Sequence, residues 1–96
     1  MERDSRPGGP LLPGINRVHE HDGARYLIEC EDRGLDEAAF EVRVIRDGSQ
    51  LWSRRVPYED LLERELPESE LEHELGARAE KTLQTVRAAI DRGKLG

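Results

Sequence analysis

Two Asp-Gly dipeptides, Asp22-Gly23 and Asp47-Gly48, each lie between runs that alternate apolar and polar residues. Asp-Gly favours the tight turns that join two antiparallel strands, because residues in such turns adopt a positive φ. Each dipeptide therefore predicts a β-hairpin. A short connection over residues 31–37 joins the two hairpins, so the first part of the chain predicts a four-stranded antiparallel meander.

The length of each turn decides which side chains share a face, because a shift of one residue moves a whole strand to the other face. A two-residue turn places Arg46 opposite Ser49, whereas a three-residue turn with Gly48 in the left-handed position places Val42 opposite Trp52. We favour the three-residue turn because it gathers the large apolar side chains of this hairpin on one face. They are Phe40, Val42, Val44, Trp52, Val56 and Tyr58.

The same rule applied to the first hairpin pairs Val18 with Tyr26. Both hairpins then present an inner face of even-numbered residues, and in the first hairpin these are Val18, Tyr26, Ile28 and Cys30. This parity also turns Glu20 and Arg54 inward, so we expect both to lie near the margins of the sheet.

After Pro57 the apolar spacing changes from strand-like to helical. Residues 58–66 predict a short helix that Pro67 interrupts, and Ser69 followed by Glu72 has the spacing of a capping box. Steps of three and four residues then form one apolar stripe. Its members are Leu71, Leu75, Ala79, Leu83, Val86 and Ile90. Gly93 is suited to end this helix.

The predicted fold class is α+β: a four-stranded antiparallel meander of two β-hairpins, a short helix, and one long C-terminal amphipathic helix packed on one face. Residues 1–14 are rich in Pro and Gly and predict a flexible N-terminal arm, which leaves residues 15–96 as a single α+β domain. A chain of 96 residues has room for one small core, and only 35% of its residues are apolar. So small a hydrophobic core indicates a domain that functions by associating with another molecule.

The net charge of −6 is unevenly distributed along the chain. Residues 59–80 carry nine acidic and two basic side chains, whereas the last sixteen residues carry one acidic and four basic ones. The acidic block over residues 59–80 is either a recognition surface or a solubilising one. With one cysteine, no apolar stretch of about 20 residues and no hydrophobic signal core, the chain predicts a cytoplasmic protein without a membrane segment.

His19 and His21 point to the same side of a strand, as metal ligands often do, but a structural site needs further ligands. Cys30 lies on the other face in the favoured register, although the two-residue turn would bring His19 across from Tyr26 and onto the side of Cys30. We predict two exposed histidines, no metal and no cofactor. Cys30 itself is expected to be a small buried hydrophobic residue.

The chain contains no phosphate-binding loop and no dinucleotide fingerprint, and so small a domain offers little pocket for a catalytic carboxylate pair. We therefore predict a non-enzymatic module. Odd-numbered sheet residues combine arginines with aliphatic side chains and are the predicted interaction surface. They are Arg25, Leu27, Arg43, Ile45, Leu51 and Arg55.

The expected function is protein–protein interaction or self-association, as a homodimer, through this sheet face or the helix. The alternative function is binding of single-stranded nucleic acid through sheet arginines, namely Arg25, Arg43, Arg46, Arg54 and Arg55. Nucleic acid is the less expected partner, because the odd-numbered face carries no aromatic side chain on which bases could stack.

Overall fold

The computed structural model describes residues 10–95, which form four strands and two helices. The strands are β1 (Ile15–His21), β2 (Ala24–Asp32), β3 (Ala39–Arg46) and β4 (Ser49–Pro57), and the helices are α1 (Glu59–Leu62) and α2 (Glu68–Asp91). The sheet order is β1-β2-β3-β4 and all neighbouring strands are antiparallel, which confirms the predicted meander and the α+β fold. Residues 1–9 of the predicted arm lie outside the described residues.

Both Asp-Gly turns contain two residues, so the predicted three-residue turns are wrong. All four central residues have a positive φ: Asp22 56°, Gly23 80°, Asp47 53° and Gly48 78°. Two successive residues with positive φ form a type I′ turn, whose twist matches the twist of the flanking strands. The first hairpin consequently pairs His19, and not Val18, with Tyr26.

This turn inverts β1 relative to the prediction. The residues of β1 that share the face of Ile28 and Cys30 are Ile15, Arg17, His19 and His21. Val18 instead lies on the opposite face, where 62% of its surface is exposed, and Glu20 lies there too. Because β1 has so few large apolar residues, its alternation pattern is weak, and the local geometry of the turn decides which face is buried.

A β-bulge compensates for the short turn in the second hairpin. Ile45 pairs with Gln50 whereas Val44 pairs with Trp52, so β4 contains one extra residue, Leu51. Beyond the bulge the even-numbered residues of β3 and β4 share one face, as predicted. Phe40, Val42, Val44 and Tyr58 are buried, and Trp52 and Val56 are half-buried.

Helix α2 packs on this inner face through the predicted stripe. Leu75, Ala79, Leu83, Val86 and Ile90 are buried and Leu71 is half-buried. The helix begins at Glu68, directly after Pro67, and no side chain caps its first turn, so the predicted capping box does not form. Helix α1 is also shorter than predicted, although Leu61 is buried in the core.

Gly93 ends α2, as the sequence predicts. Its φ is 68°, and its N–H donates a hydrogen bond to the carbonyl of Ile90 at 3.0 Å. The N–H of Lys94 donates to the carbonyl of Ala89 at 2.9 Å, which completes a Schellman motif. The motif reverses the chain and brings Leu95 back against the core. No helix of residues 10–95 has the length and apolar character needed to cross a membrane.

Asp32, the last residue of β2, is a buried carboxylate that forms hydrogen bonds at the end of the sheet opposite the two Asp-Gly turns. Its Oδ1 accepts hydrogen bonds from the hydroxyl of Tyr58 at 2.6 Å and from the N–H of Gly34 at 2.9 Å. Its Oδ2 accepts from the N–H groups of Leu11 and Leu12 at 2.8 and 3.2 Å. These bonds offset the cost of burying the charge and hold the segment before β1 against the domain.

Candidate functional site

The outer face of the sheet carries five of the six predicted interaction residues. Leu27 and Ile45 are paired across β2 and β3, and Val18 of β1 pairs with Leu27 on its other side. The three aliphatic side chains therefore form one row across the sheet. Val18 is the most exposed of them, and the sequence pattern missed it because the face of β1 depends on the turn type.

Leu51, the sixth predicted residue, does not belong to this outer surface. The bulge takes it out of the strand alternation, and it borders a cavity of about 340 Å³ together with Tyr26, Ile90 and Leu95. Half of its surface, 51%, is exposed. Its predicted place on the odd-numbered face is therefore wrong, because the alternation of β4 is broken at this residue.

The outer-face arginines are engaged by neighbouring groups. Arg43 lies 3.1 Å from Glu29, 3.2 Å from Glu31 and 3.5 Å from Glu41, and the hydrogen bond to Glu29 is the largest cause of its raised pKa. Arg25 pairs with Glu20 at 3.1 Å. A guanidinium that is already paired with carboxylates has fewer donors for phosphate, so these contacts weaken the case for nucleic acid on this face.

Arg55 is held differently, by a backbone group. Its Nη2 donates a hydrogen bond to the carbonyl of Glu37 at 2.6 Å, and the strand register places it opposite Glu41. The outer face therefore carries ion-paired and hydrogen-bonded arginines together with one row of aliphatic side chains.

The two histidines of β1 meet the end of α2. Nε2 of His19 and Oδ1 of Asp91 form a hydrogen bond at 2.8 Å, and Nε of Arg87 lies 3.4 Å from Nδ1 of His19. His21 lies 3.2 Å from the same oxygen of Asp91. The hydrogen bond from His19 is the first cause of the lowered pKa of Asp91. Within residues 10–95, no group of three His, Cys, Asp or Glu side chains is arranged to hold a metal ion.

Cys30 lies in the core, in the same row as Ile15 and Val42. Burial raises the pKa of its thiol to about 11, with a smaller contribution from the charge of Asp32. A thiol with so high a pKa is a poor nucleophile at neutral pH. Its surroundings agree with the structural role predicted for it.

A groove lies between β4 and the C-terminal half of α2 on the inner face. It encloses about 370 Å³, with Trp52 and Val56 on the strand side and Val86 and Ala89 on the helix side. Leu95 also lines the groove. Trp52 and Val56 are half-buried although both point toward the helix layer, so the groove is an apolar surface that α2 leaves uncovered.

The groove exists because one helix is too narrow for this sheet. An α-helix is about 10 Å wide, whereas the outer strands of a four-stranded sheet are about 14 Å apart. Helix α2 lies closer to β1 and β2 than to β4. Toward β4 it presents Thr82, Thr85 and Ala89, whose side chains are too short to bridge the gap.

Three cationic side chains border this groove: Arg54, Lys81 and Lys94. None of them forms an ion pair with any other residue in the described part of the chain. The guanidinium carbon of Arg54 lies 5.8 Å from the centre of the Trp52 ring, a cation–π distance. The predicted inward orientation of Arg54 at the sheet margin thus agrees with its position.

The groove was not identified from the sequence, although Trp52 and Arg54 were placed on the inner face. Its helix wall depends on where α2 lies across the sheet, which periodicity does not report. Comparison with family models, curated proteins and solved structures finds no match to this chain.

Proposed function

We propose that this chain is a small non-enzymatic protein-interaction module whose partner docks in the groove between β4 and α2. The observation that carries the proposal is the half-buried indole of Trp52 beside three cations that have no acidic partner within residues 10–95. Apolar surface gains about 25 cal/mol per Å² when it leaves water. Tryptophan and arginine are also the side chains most often found at the energetic centre of protein interfaces.

The strand beside the groove supports the same proposal. β4 is an edge strand, so one side of its backbone is free of the sheet. Such an edge can pair with a further strand through main-chain hydrogen bonds, while the groove receives the side chains of that strand. A partner that pairs with β4 covers Trp52 and Val56 at the same time.

Two buried polar groups support the non-enzymatic part of the proposal. Asp32 is saturated by four hydrogen bonds that hold the fold together, and Cys30 is a buried thiol with a raised pKa. Each has a structural role, and neither borders the groove. The groove itself offers cations, threonine hydroxyls and apolar surface, which suit binding better than acid–base chemistry.

Single-stranded nucleic acid is the second candidate for the same groove. Arg54 lies over Trp52, and Arg46 lies over Tyr26 at 5.7 Å from the ring centre, so cations and aromatic rings meet on the helix side of the sheet. This combination suits base stacking with phosphate contacts. The apolar lining and the open strand edge favour protein.

The test compares two variants against a protein partner identified by affinity purification and then purified itself. The groove variant is Arg54→Glu with Lys81→Glu, and the matched outer-face control is Val18→Lys. We expect the groove variant to bind the purified partner at least about tenfold more weakly and the control to bind like the wild type. Isothermal titration calorimetry provides the dissociation constants.

Equal affinity of the groove variant and the wild type would contradict the proposal, and so would a loss confined to Val18→Lys. A fluorescently labelled oligonucleotide at low salt tests the second candidate in parallel. Binding of that oligonucleotide by the wild type, lost in the groove variant, would replace protein with nucleic acid as the ligand of the groove.

A further inference from the structure

We infer that the partner of the β4 groove is a second copy of this chain, which pairs its β1 edge with β4 in a head-to-tail arrangement. The inference rests on the proposed function and names the partner. In a four-stranded antiparallel meander the first and last strands run in opposite directions. A neighbouring copy in the same orientation therefore presents β1 antiparallel to β4 and continues the sheet.

The two edge strands are comparable in length, and the surfaces beside them are opposite in charge. β1 has 7 residues and β4 has 9. Beside β1, an open surface is lined by Leu12 and Ile15 together with Glu72 and Glu80 of α2. Beside β4, the groove carries cations only. Joining these edges brings acidic and basic groups together while it covers apolar surface on both copies.

The same charges disfavour a two-fold dimer through β4. Such a dimer would place two sets of three cations, Arg54, Lys81 and Lys94, against each other. Like charges across an interface cost free energy, whereas a head-to-tail contact meets only one such set.

The groups that would meet lie at the same level along the strand direction. One row of paired residues crosses the sheet from Arg17 to Trp52, and the adjacent row crosses from Ile15 to Arg54. Glu80 forms an ion pair with Arg17 and so lies at the level of these rows. In a neighbouring copy that continues these rows, Glu80 of that copy comes close to Arg54 and Lys81 of the first copy. Lys81 follows Glu80 by one residue, which is about 1.5 Å along α2.

Head-to-tail pairing has a consequence that a two-fold dimer lacks. Each added copy covers one edge and presents a new one, so association continues into a ring or a filament. Chains that are blocked at different edges can therefore associate only when they are mixed.

The experiment uses two full-length variants that change the charge at exposed residues. The groove variant, Arg54→Glu with Lys81→Glu, blocks the β4 edge, and Glu72→Lys with Ala77→Lys blocks the β1 edge. Sedimentation equilibrium from about 1 μM to about 1 mM covers the affinities of weak protein contacts. Circular dichroism and thermal melting establish that both variants are folded, and Asp36→Lys, at an exposed position in the connection between β2 and β3, is the surface control.

We expect the mass of the wild type and of Asp36→Lys to rise with concentration beyond that of two chains of 10.9 kDa. Each edge variant alone should stay monomeric, because one of its two complementary edges is blocked. An equimolar mixture of the edge variants should associate again, because each variant supplies the unblocked edge that the other lacks and the two altered edges are opposite in charge. The dissociation constant of either variant with itself should be at least about a hundredfold weaker than that of the mixture.

Three results would overturn the inference. A wild type that is monomeric throughout the concentration range has no such contact, and a mixture that stays monomeric has no complementary edges. A β1-edge variant that dimerises alone uses a two-fold contact through β4. In the first case the proposed function still stands if a different purified protein binds the wild type and is lost in the groove variant, so the two failures are distinguishable.

Discussion

Helix α2 holds the two edges of the sheet in different ways. At β1 it forms contacts along its length, from the Glu80–Arg17 ion pair to the Asp91–His19 hydrogen bond. On the β4 side Arg78, near the middle of α2, donates to both carboxylate oxygens of Asp60 in α1 at 2.6 and 2.7 Å and to the carbonyl of Pro57 at the end of β4 at 3.3 Å. Beyond Arg78, toward the C-terminal end of α2, the groove separates the helix from β4.

This difference shows that polar side chains at the margins of α2 decide where its apolar stripe lies across the sheet. The stripe alone fits over any two neighbouring strands, because Leu, Val and Ile pack without directional bonds. Glu80 and Asp91 face β1, whereas Thr82 and Ala89 face β4. The position of the helix near β1 leaves Trp52 half-buried as a direct result.

The largest expected effect separates the covered core from the uncovered groove. Leu83→Ala removes a side chain that is 1% exposed beneath α2, so we expect the free energy of unfolding to fall by about 2–5 kcal/mol. Trp52→Ala removes a half-buried side chain and should cost at most about 1.5 kcal/mol. Urea denaturation measures both. Equal losses would mean that Trp52 belongs to the core and that the groove is not a surface.

Asp32→Asn tests the anchor of the segment before β1. The carboxylate accepts from Leu11, Leu12, Gly34 and Tyr58, and a neutral amide with one acceptor oxygen cannot satisfy all four donors. We expect a loss of about 1–3 kcal/mol in the free energy of unfolding. Asp36→Asn, at an exposed position, is the matched control. An equally small change in both variants would show that these hydrogen bonds do not stabilise the β1 side.

The strands and the long helix were predictable because their signals are local. The Asp-Gly dipeptides mark both hairpins, and the apolar stripe from Leu75 to Ile90 marks α2 over several turns. Tyr26, Ile28 and Cys30 were correctly placed on the inner face. The face of β1 was not predictable from the pattern, because Ile15 and Val18 have opposite parity and are the only aliphatic residues of that strand.

The candidate site was harder to predict because it depends on two tertiary features. The bulge at Leu51 is invisible to a period-two pattern, and it carries that residue from the expected outer face to a cavity beside Ile90. The groove also depends on the position of α2, which the Glu80–Arg17 contact helps to set over a separation of 63 residues. Sequence periodicity reports which face of an element is apolar, and not where two such faces meet.

Alkaline pH should weaken the whole fold and leave the comparison between its edges unchanged. Desolvation raises the pKa of Cys30 from 9.0 to about 11, and burial with the hydrogen bond to Asp32 raises that of Tyr58 above its ordinary 10.0. Both groups then lose their protons more easily in the unfolded chain, so their contribution is present below pH 9 and is lost as the pH rises. At pH 10 we expect a loss of about 1 kcal/mol, measured by urea denaturation.

The variant Cys30→Ala with Tyr58→Phe is the control for this alkaline loss. It is less stable at pH 7 but cannot titrate at either position, so its free energy of unfolding should depend less on pH between 8 and 10.5. A wild type and a variant with the same alkaline slope would assign the loss to other groups.

The smallest expected effect concerns the Arg78–Asp60 ion pair, which joins α2 to α1 next to the end of β4. The hydrogen bond from Arg78 lowers the pKa of Asp60 below its ordinary 3.8, so the contribution of this carboxylate is present above that pH and is lost as the pH falls. Asp60→Asn should therefore lower the melting temperature at pH 7 by less than Asp32→Asn does, because an exposed pair contributes little. The difference from the wild type should close below pH 3.8.

Glu59→Gln, at the neighbouring exposed position, is the control for the Asp60 variant. Tryptophan fluorescence then decides whether the Arg78–Asp60 ion pair also shapes the groove. If Arg78 and Asp60 hold α2 away from a fully closed position, Asp60→Asn changes the emission maximum of Trp52 at pH 7 while Glu59→Gln does not. An unchanged emission would show that the contacts at β1 alone position the helix, which would make the difference between the two edges sharper still.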